Sequence, residues 1–486
     1  MPKNDTIENV MIEKLIFGGK GLATAPDGRK IIITGGGIPG SIVHLRVLKS
    51  KKSHFEAQIL SVLKKSPIEK ELEPGHQMYG GAKWLTIGYE DQLKIKQEQI
   101  HEAFYSILKY LDGKDIPDFH PIVPSPEIFG YRNKVEFSWG KYISAREGVH
   151  DEFRFGFHAQ GQFDRIENCS YCALADGEIN ALFQEVADWS RDSGFPTYDP
   201  KTGVGFWRHF VVRKAKKSDA IMLIFSVNGL WNQEAQSGEG EDRRAFFTKM
   251  VRELSEKYKN IESVFFLENT GRADIVTGNP VLIYGKPSIE EELLGMSFEI
   301  QPKSFFQVNT LGAEKLYTIA IDSIQEKGGV LLDLYAGTGT IGILLSKYFK
   351  EVYSVELVES ASKDGEKNSI KNGVKNVRFI NKKVEDFAKS FEAENGKADT
   401  IVIDPPRDGM HPSTYRSLLT FGSKEIIYVS CNPATLARDL EVFIGKNRDE
   451  KTEDLPRYRI SHVTPVDMFP HTHHIETVVR MELIEK

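Results

Sequence analysis

Cysteine is nearly absent. Cys169, Cys172 and Cys431 are the only three in 486 residues, and an odd handful excludes a disulfide framework and points to a reducing cytosol. Long apolar runs are missing too. The best candidate, 330–345, is interrupted by Asp333 and several glycines, so it falls short of the ~20 residues needed to cross a bilayer. No membrane partner is expected, and the polar start MPKNDTIENV has no apolar core of the kind that directs export. A large net charge is also lacking, at −6, so composition alone does not demand a nucleic-acid partner. What is present, 40% hydrophobic and 27% charged residues, is an ordinary globular balance on a chain long enough for about three domains.

The charge is unevenly spread. Residues 1–70 carry ten Lys and two Arg against six acids, a local +6 on an otherwise acidic chain. A basic end suits phosphate binding, with a merely solvated basic face as the competing reading. Within it, ENVMIEKLIF, GLATAPDGRKIIIT with a turn at Asp27-Gly28, and a long run broken at Lys51-Lys52 predict five short strands with glycine corners. That pattern suggests a small oligonucleotide-binding barrel over 1–66, and the stretch resembles a TRAM domain, a module found on RNA-modifying enzymes. A charged, proline-bearing linker follows, then a helix over 91–113 expected to pack on the catalytic domain. Residues 120–300 alternate strand-like runs and loops, which predicts an antiparallel α+β central domain over 67–300. Arg132, Lys134, Arg208 and Arg213 lie among aromatics there, as an RNA-contacting face or an ordinary strand face would have them. The polar segments 231–244 and 445–458 read as surface loops.

From Val330 onward strand, glycine-rich turn and helix repeat, so 301–486 is predicted to be an α/β, doubly wound, mostly parallel sheet with ligands at the carboxyl ends of its strands. Gly337, Gly339 and Gly342 fit G-x-G-x-x-G, with Glu356 at the end of the next strand. A dinucleotide would use such a turn, and so would S-adenosylmethionine, whose ribose hydroxyls need a carboxylate. A dehydrogenase, however, explains neither DPPR at 404–407 nor Cys431. In EIIYVSCNPATLARDL (425–440) that cysteine falls at a strand-to-helix turn with Pro433 at the first helical position. The donor-rich helix end is expected to lower the thiol pKa. A small buried hydrophobe is the bland alternative.

The strings KSFFQVN (303–309), DLYAGTGT (333–340), DPPRDG (404–409), YVSCNPATLARDL (428–440) and PVDMFPHTHHIETV (465–478) together resemble the RNA uracil-5-methyltransferase family. With YRNK (131–134) and the TRAM-like start, the resemblance covers nearly the whole chain and is to the branch acting on 23S ribosomal RNA. The transfer-RNA branch is typically shorter and lacks the TRAM domain. The resemblance implies a Rossmann-like methyltransferase domain with Cys431 as nucleophile and Glu476 as general base. It also implies that Gln307, Tyr335, Glu356 and Asp404 contact S-adenosylmethionine, beside the turn at Gly337. The chemistry suits those residue types. Carbon 5 of uracil is a poor nucleophile until a thiolate adds at carbon 6, and a carboxylate must later remove the carbon 5 proton.

HTHH (471–474) matches no zinc spacing, so no metal site is expected. Arg407 stands where amino-methylating enzymes carry an aromatic in D-P-P-aromatic, which argues for carbon methylation. Many relatives in the ribosomal branch hold an iron–sulfur cluster on three cysteines after the TRAM domain and a fourth further on. The matching positions here are Glu73, Tyr79 and Ala82, leaving Cys169 with Cys172 nearby. Two thiols cannot complete four-cysteine ligation, so no cluster is expected, and the central domain is expected to pack around Trp84, Leu85 and 120–180 instead. A cytoplasmic monomer is anticipated. Two other readings stand: transfer-RNA uridine as the target, or a non-catalytic RNA-binding protein on the same fold, against which the presence of both Cys431 and Glu476 argues.

Overall fold

The computed structural model describes residues 5–144, 148–159, 162, 164–229, 239–395, 397–450 and 452–484. The chain forms two compact units, one of Met1–Glu71, Lys83–Ile128 and Leu311–Lys486, the other of Leu72–Ala82 and Phe129–Thr310.

In the first unit, six N-terminal strands lie in the order Thr6–Met11, Ile42–Ser50, His54–Lys64, Lys30–Thr34, Lys20–Thr24, Lys14–Ile16. Alternate residues, among them Ile31, Ile33, Val43, Leu45, Phe55 and Ala57, turn to one buried face, as the two-residue period of a strand requires. There are six strands rather than five because ENVMIEKLIF divides between Met11 and Lys14. The turn at Gly28 has the positive φ of +83° that a glycine tolerates.

Trp84 packs with Leu15, Ile87 and Ile95. It therefore belongs with the N-terminal strands, and together with Leu85 it lies outside the central domain it was expected to support. The helix expected over 91–113 forms as Tyr89–Ala103 and Tyr105–Leu111. Ile100, Phe104 and Ile107 join the core of the large sheet.

That sheet has eight strands in the order Val377–Asn381, Glu351–Glu356, Val330–Leu334, Thr400–Ile403, Glu425–Ser430, Glu476–Ile484, Arg457–Val466, Asp118–Phe119. The first five run parallel, and the central ones are continuous apolar runs because helices cover both faces. Glu476–Ile484 enters antiparallel between Glu425–Ser430 and Arg457–Val466. The class is α/β, with a Rossmann-like sheet as expected.

In the second unit, seven strands lie in the order Ile166–Asn168, Val149–His158, Lys134–Ser144, Trp207–Lys214, Ile221–Val227, Ile261–Glu268, Pro280–Gly285. The expectation of an antiparallel sheet fails at one pairing. Ile221–Val227 and Ile261–Glu268 are parallel, which needs a crossover, and the helix Glu239–Lys257 supplies it. The surface loop expected over 231–244 is not what its second half forms: 231–238 lie outside the described residues, and 239–244 start this helix.

The RNA-face reading fails for two of its four cations. Arg208 is 1% exposed and donates to the carbonyls of Asn269, Gly271 and Ala273; Arg213, also buried, donates to Ser304 O. Each is spent on buried carbonyls, which would be costly to leave unpaired. Tyr79 stacks on Phe157 at 4.4 Å and sets its hydroxyl 3.0 Å from Cys172 Sγ.

Candidate active site

Cys431 sits between a fully buried strand and the helix Pro433–Phe443. The turn is built by Asn432, whose side chain accepts from the amides of Ala434 and Thr435 while its Nδ2 donates to Arg407 O at 2.9 Å. Thr435 Oγ1 donates to the same carbonyl. The loop after Asp404 is thereby tied to the cysteine turn. Asp439, not singled out from the sequence, ties it a second time: it accepts from Tyr428 and Tyr415 hydroxyls, both at 2.6 Å, and from the amide of Met410. Its only signal was an acid at a helix position where the spacing calls for an apolar residue.

Glu476 reaches the cysteine through strand direction. Ligand sites lie at the carboxyl ends of parallel strands, and only an antiparallel neighbour can begin there. The ladder pairs Ser430 with Thr477, so the next step sets Cys431 against Glu476. Glu476 is 5% exposed.

Burial and the neighbouring Asp404 push the Glu476 carboxyl well above the usual carboxylate range. Burial and then Asp333 push Asp404 up to about 7. The thiol does not follow the expectation of a lowered pKa. Burial first, then the charges of Glu476 and Asp404, push Cys431 up to about 11, with Arg407 offsetting only part. Desolvation and two nearby carboxylates outweigh the end of one helix.

The loop that leads to Glu476 is pinned by the helix Tyr89–Ala103. Lys96 Nζ bonds Asp467 Oδ1 at 2.6 Å and Phe469 O at 3.1 Å. Gln92 accepts from the His471 amide at 2.7 Å and donates to the carbonyls of Trp84 and Ile87. His473 packs against the turn at Gly19, where an added Cβ would lie 3.2 Å from the ring, and burial lowers its pKa to about 4. His471 and His473 thus act in holding the loop.

Beside these residues a cleft of about 830 Å³ opens at the ends of the parallel strands, lined by Tyr335, Glu356 and Asp404 together with Leu357 and Val358. The Glu356 carboxylate is aimed by the amides of Gly337 at 2.8 Å and Val358 at 2.7 Å. Gly337 has φ +55° and open space where a side chain would go. A Cβ on Gly339 would strike Phe379 and one on Gly342 would strike Ser354, so those two glycines serve close packing. Leu357 and Val358 are 60% and 55% exposed. An apolar pair next to an oriented carboxylate, with a second acid across the cleft, suits a nucleoside carrying an amino acid. Gln307 belongs to the second unit, where its carbonyl accepts from Asn133 Nδ2.

A family model described as tRNA (uracil-5-)-methyltransferase matches residues 286–484. An uncharacterized RNA methyltransferase of Caldanaerobacter subterraneus subsp. tengcongensis is 33% identical over 486 residues, covering 98% of each chain. One of Clostridium tetani is 35% identical over 471 residues, covering 96% of each. Among solved structures, the tRNA (uracil-54, C5)-methyltransferase of Pyrococcus abyssi, in complex with S-adenosyl-L-homocysteine, is similar in fold. Its TM-score is 0.70 and its identity 24%, over 98% of this chain and 100% of that one.

Proposed function

Because this chain belongs to the RNA uracil-5-methyltransferase family, we propose that it methylates uridine in 23S ribosomal RNA through a covalent bond between Cys431 and the base. S-adenosylmethionine supplies the methyl group when bound, and Tyr335, Gly337, Glu356 and Asp404 are the residues of the first unit that would hold it. Gln307 is assigned to the same donor by resemblance alone. The observation that carries the reading is the antiparallel register that sets Glu476 beside Cys431.

The Cys431 thiolate adds to carbon 6, and the electron pair of the carbon 5–carbon 6 double bond moves toward the O4 carbonyl as an enolate. Carbon 5 then takes the methyl group. The Glu476 carboxylate removes the proton left on carbon 5, the double bond re-forms, and the carbon 6–sulfur bond breaks to return the thiolate. Burial raises the pKa of both side chains in the free protein, so each must lose its proton before it acts in this sequence.

Ribosomal RNA is preferred for the motif strings and the basic N-terminal strands. Transfer RNA is a second reading, favoured by the full-length likeness in fold to a transfer-RNA enzyme. Mapping 5-methyluridine by mass spectrometry in ribosomal and transfer RNA, from cells with and without the gene, separates them. Loss of a ribosomal site supports the first reading; loss confined to transfer RNA overturns it.

A further inference from the structure

The far edge of the large sheet carries a group of side chains that the methylation chemistry does not use. Asp118, His120 and His462 bring one ligand atom each within 4.8 Å of the others. The register explains why. The segment Asp118–Phe119 runs parallel to Arg457–Val466 with Asp118 opposite His462, and the ladder continues as the His120 amide donates to Val463 O at 2.9 Å. Asp118 and His120, two residues apart on a strand, share a face. In the pairing of Arg457–Val466 with Glu476–Ile484 the register shifts between Ile460 and His462, an irregularity of the kind that re-aims a side chain.

Each ring has a hydroxyl beside its Nδ1. His120 Nδ1 lies 2.8 Å from Thr464 Oγ1, and His462 Nδ1 lies 3.0 Å from Ser461 Oγ. A hydroxyl at each Nδ1 fixes the ring and leaves Nε2 for a ligand bond, which is how metal-bound histidines are normally held. His120 Nε2 faces Asp118 Oδ2 at 3.3 Å.

His120 and His462 line a cleft of about 460 Å³ that also holds Asp322 and Arg480. Arg480 does not oppose a cation there, since its guanidinium is paired with Glu425 at 3.1 Å and with Glu482. We propose that Asp118, His120 and His462 form a site for one divalent transition-metal ion of the zinc class. Two imidazoles and a carboxylate are a zinc-type donor set, with the fourth position left to water. The ion would clip the short edge segment 118–123 to the catalytic sheet, closing a loop of several hundred residues.

The test uses the full chain without an affinity tag and titrates zinc chloride by calorimetry, with cobalt absorption in parallel. One ion per chain is expected, with micromolar or tighter affinity. His120→Gln and His462→Gln should each weaken it at least tenfold, and Asp118→Asn, the most exposed ligand, should weaken it less. Zinc should raise the melting temperature of the parent by a few degrees and leave that of His462→Gln unchanged. Cys431→Ala should bind as the parent does, which separates this site from the thiol. Absence of binding at millimolar zinc, or equal binding by parent and both histidine variants, overturns the proposal.

Discussion

Lys96 Nζ lies 2.6 Å from Asp467 Oδ1, and neither side chain is exposed at all. The pair joins the helix Tyr89–Ala103 to the loop that ends at Glu476, so the position of that carboxylate rests on a lysine far from it in sequence. Removing one partner strands the other as a buried charge, which costs about 3–5 kcal/mol. Lys96→Met should therefore destabilise the protein by roughly that amount in urea unfolding. The double variant Lys96→Met/Asp467→Leu should recover most of it; no recovery would assign the loss to packing of the lysine stem.

Glu476→Gln should carry the reaction through methyl transfer and then stop, because the carbon 5 proton has nowhere to go. A methylated RNA–protein adduct should survive a denaturing gel, and Cys431→Ala should form none. Normal turnover by Glu476→Gln would place the base elsewhere.

With the Cys431 thiol pushed up to about 11, alkylation by iodoacetamide should be slow at pH 7 and rise about tenfold per pH unit below that value. Asp404→Asn should speed it at pH 9 by removing a repelling charge. The same substitution has a stability signature. Asp404 keeps its proton up to about 7 when folded but only to about 4 when unfolded. The folded state thus binds the extra proton within that window, and its contribution is present below pH 4 and lost as pH rises to 7. Asp404→Asn should raise stability by about 1–3 kcal/mol at pH 8 and leave it unchanged at pH 3.5. A stabilisation equal at both values would rule out titration as the cause.

Several basic residues of the N-terminal strands are already paired, as Lys49 and Lys51 are with Glu56. Lys20, Lys52 and Lys64 stand exposed. Deleting the whole segment would also uncover Trp84, so point changes are cleaner. Reversing these three lysines to Glu should weaken RNA binding and reduce its salt slope by about one for each lysine that meets a phosphate. An unchanged slope would assign these strands another task.

Phe305 is 70% exposed while its neighbour Phe306 is buried, a conspicuous place for an aromatic unless a base stacks on it. Addition at carbon 6 requires access to the ring face, so the target uridine must be unstacked. Phe305→Ala should raise KM for RNA severalfold with little change in kcat. A target held in a stable duplex should react far more slowly than the same uridine in a loop, and equal rates would contradict both points.

Sequence alone determined what is local. The apolar run before Cys431, the Asn-Pro start of the helix after it and the glycine turn at 337–342 each declare themselves within a few residues, because strand burial, capping and positive φ are short-range requirements. From these the α/β class followed, and the motif strings pointed to the family. Tertiary structure decided whatever depends on neighbours distant in the chain. It made Arg208 and Arg213 internal donors rather than a surface for RNA, because a strand pattern does not reveal which face another segment will cover. It set Glu476 against Cys431 by inserting the last strand antiparallel, and it brought His462 to Asp118 and His120 by register. It also reversed the expected state of the thiol, since a helix end can be read from sequence whereas desolvation and two converging carboxylates exist only once the chain has folded.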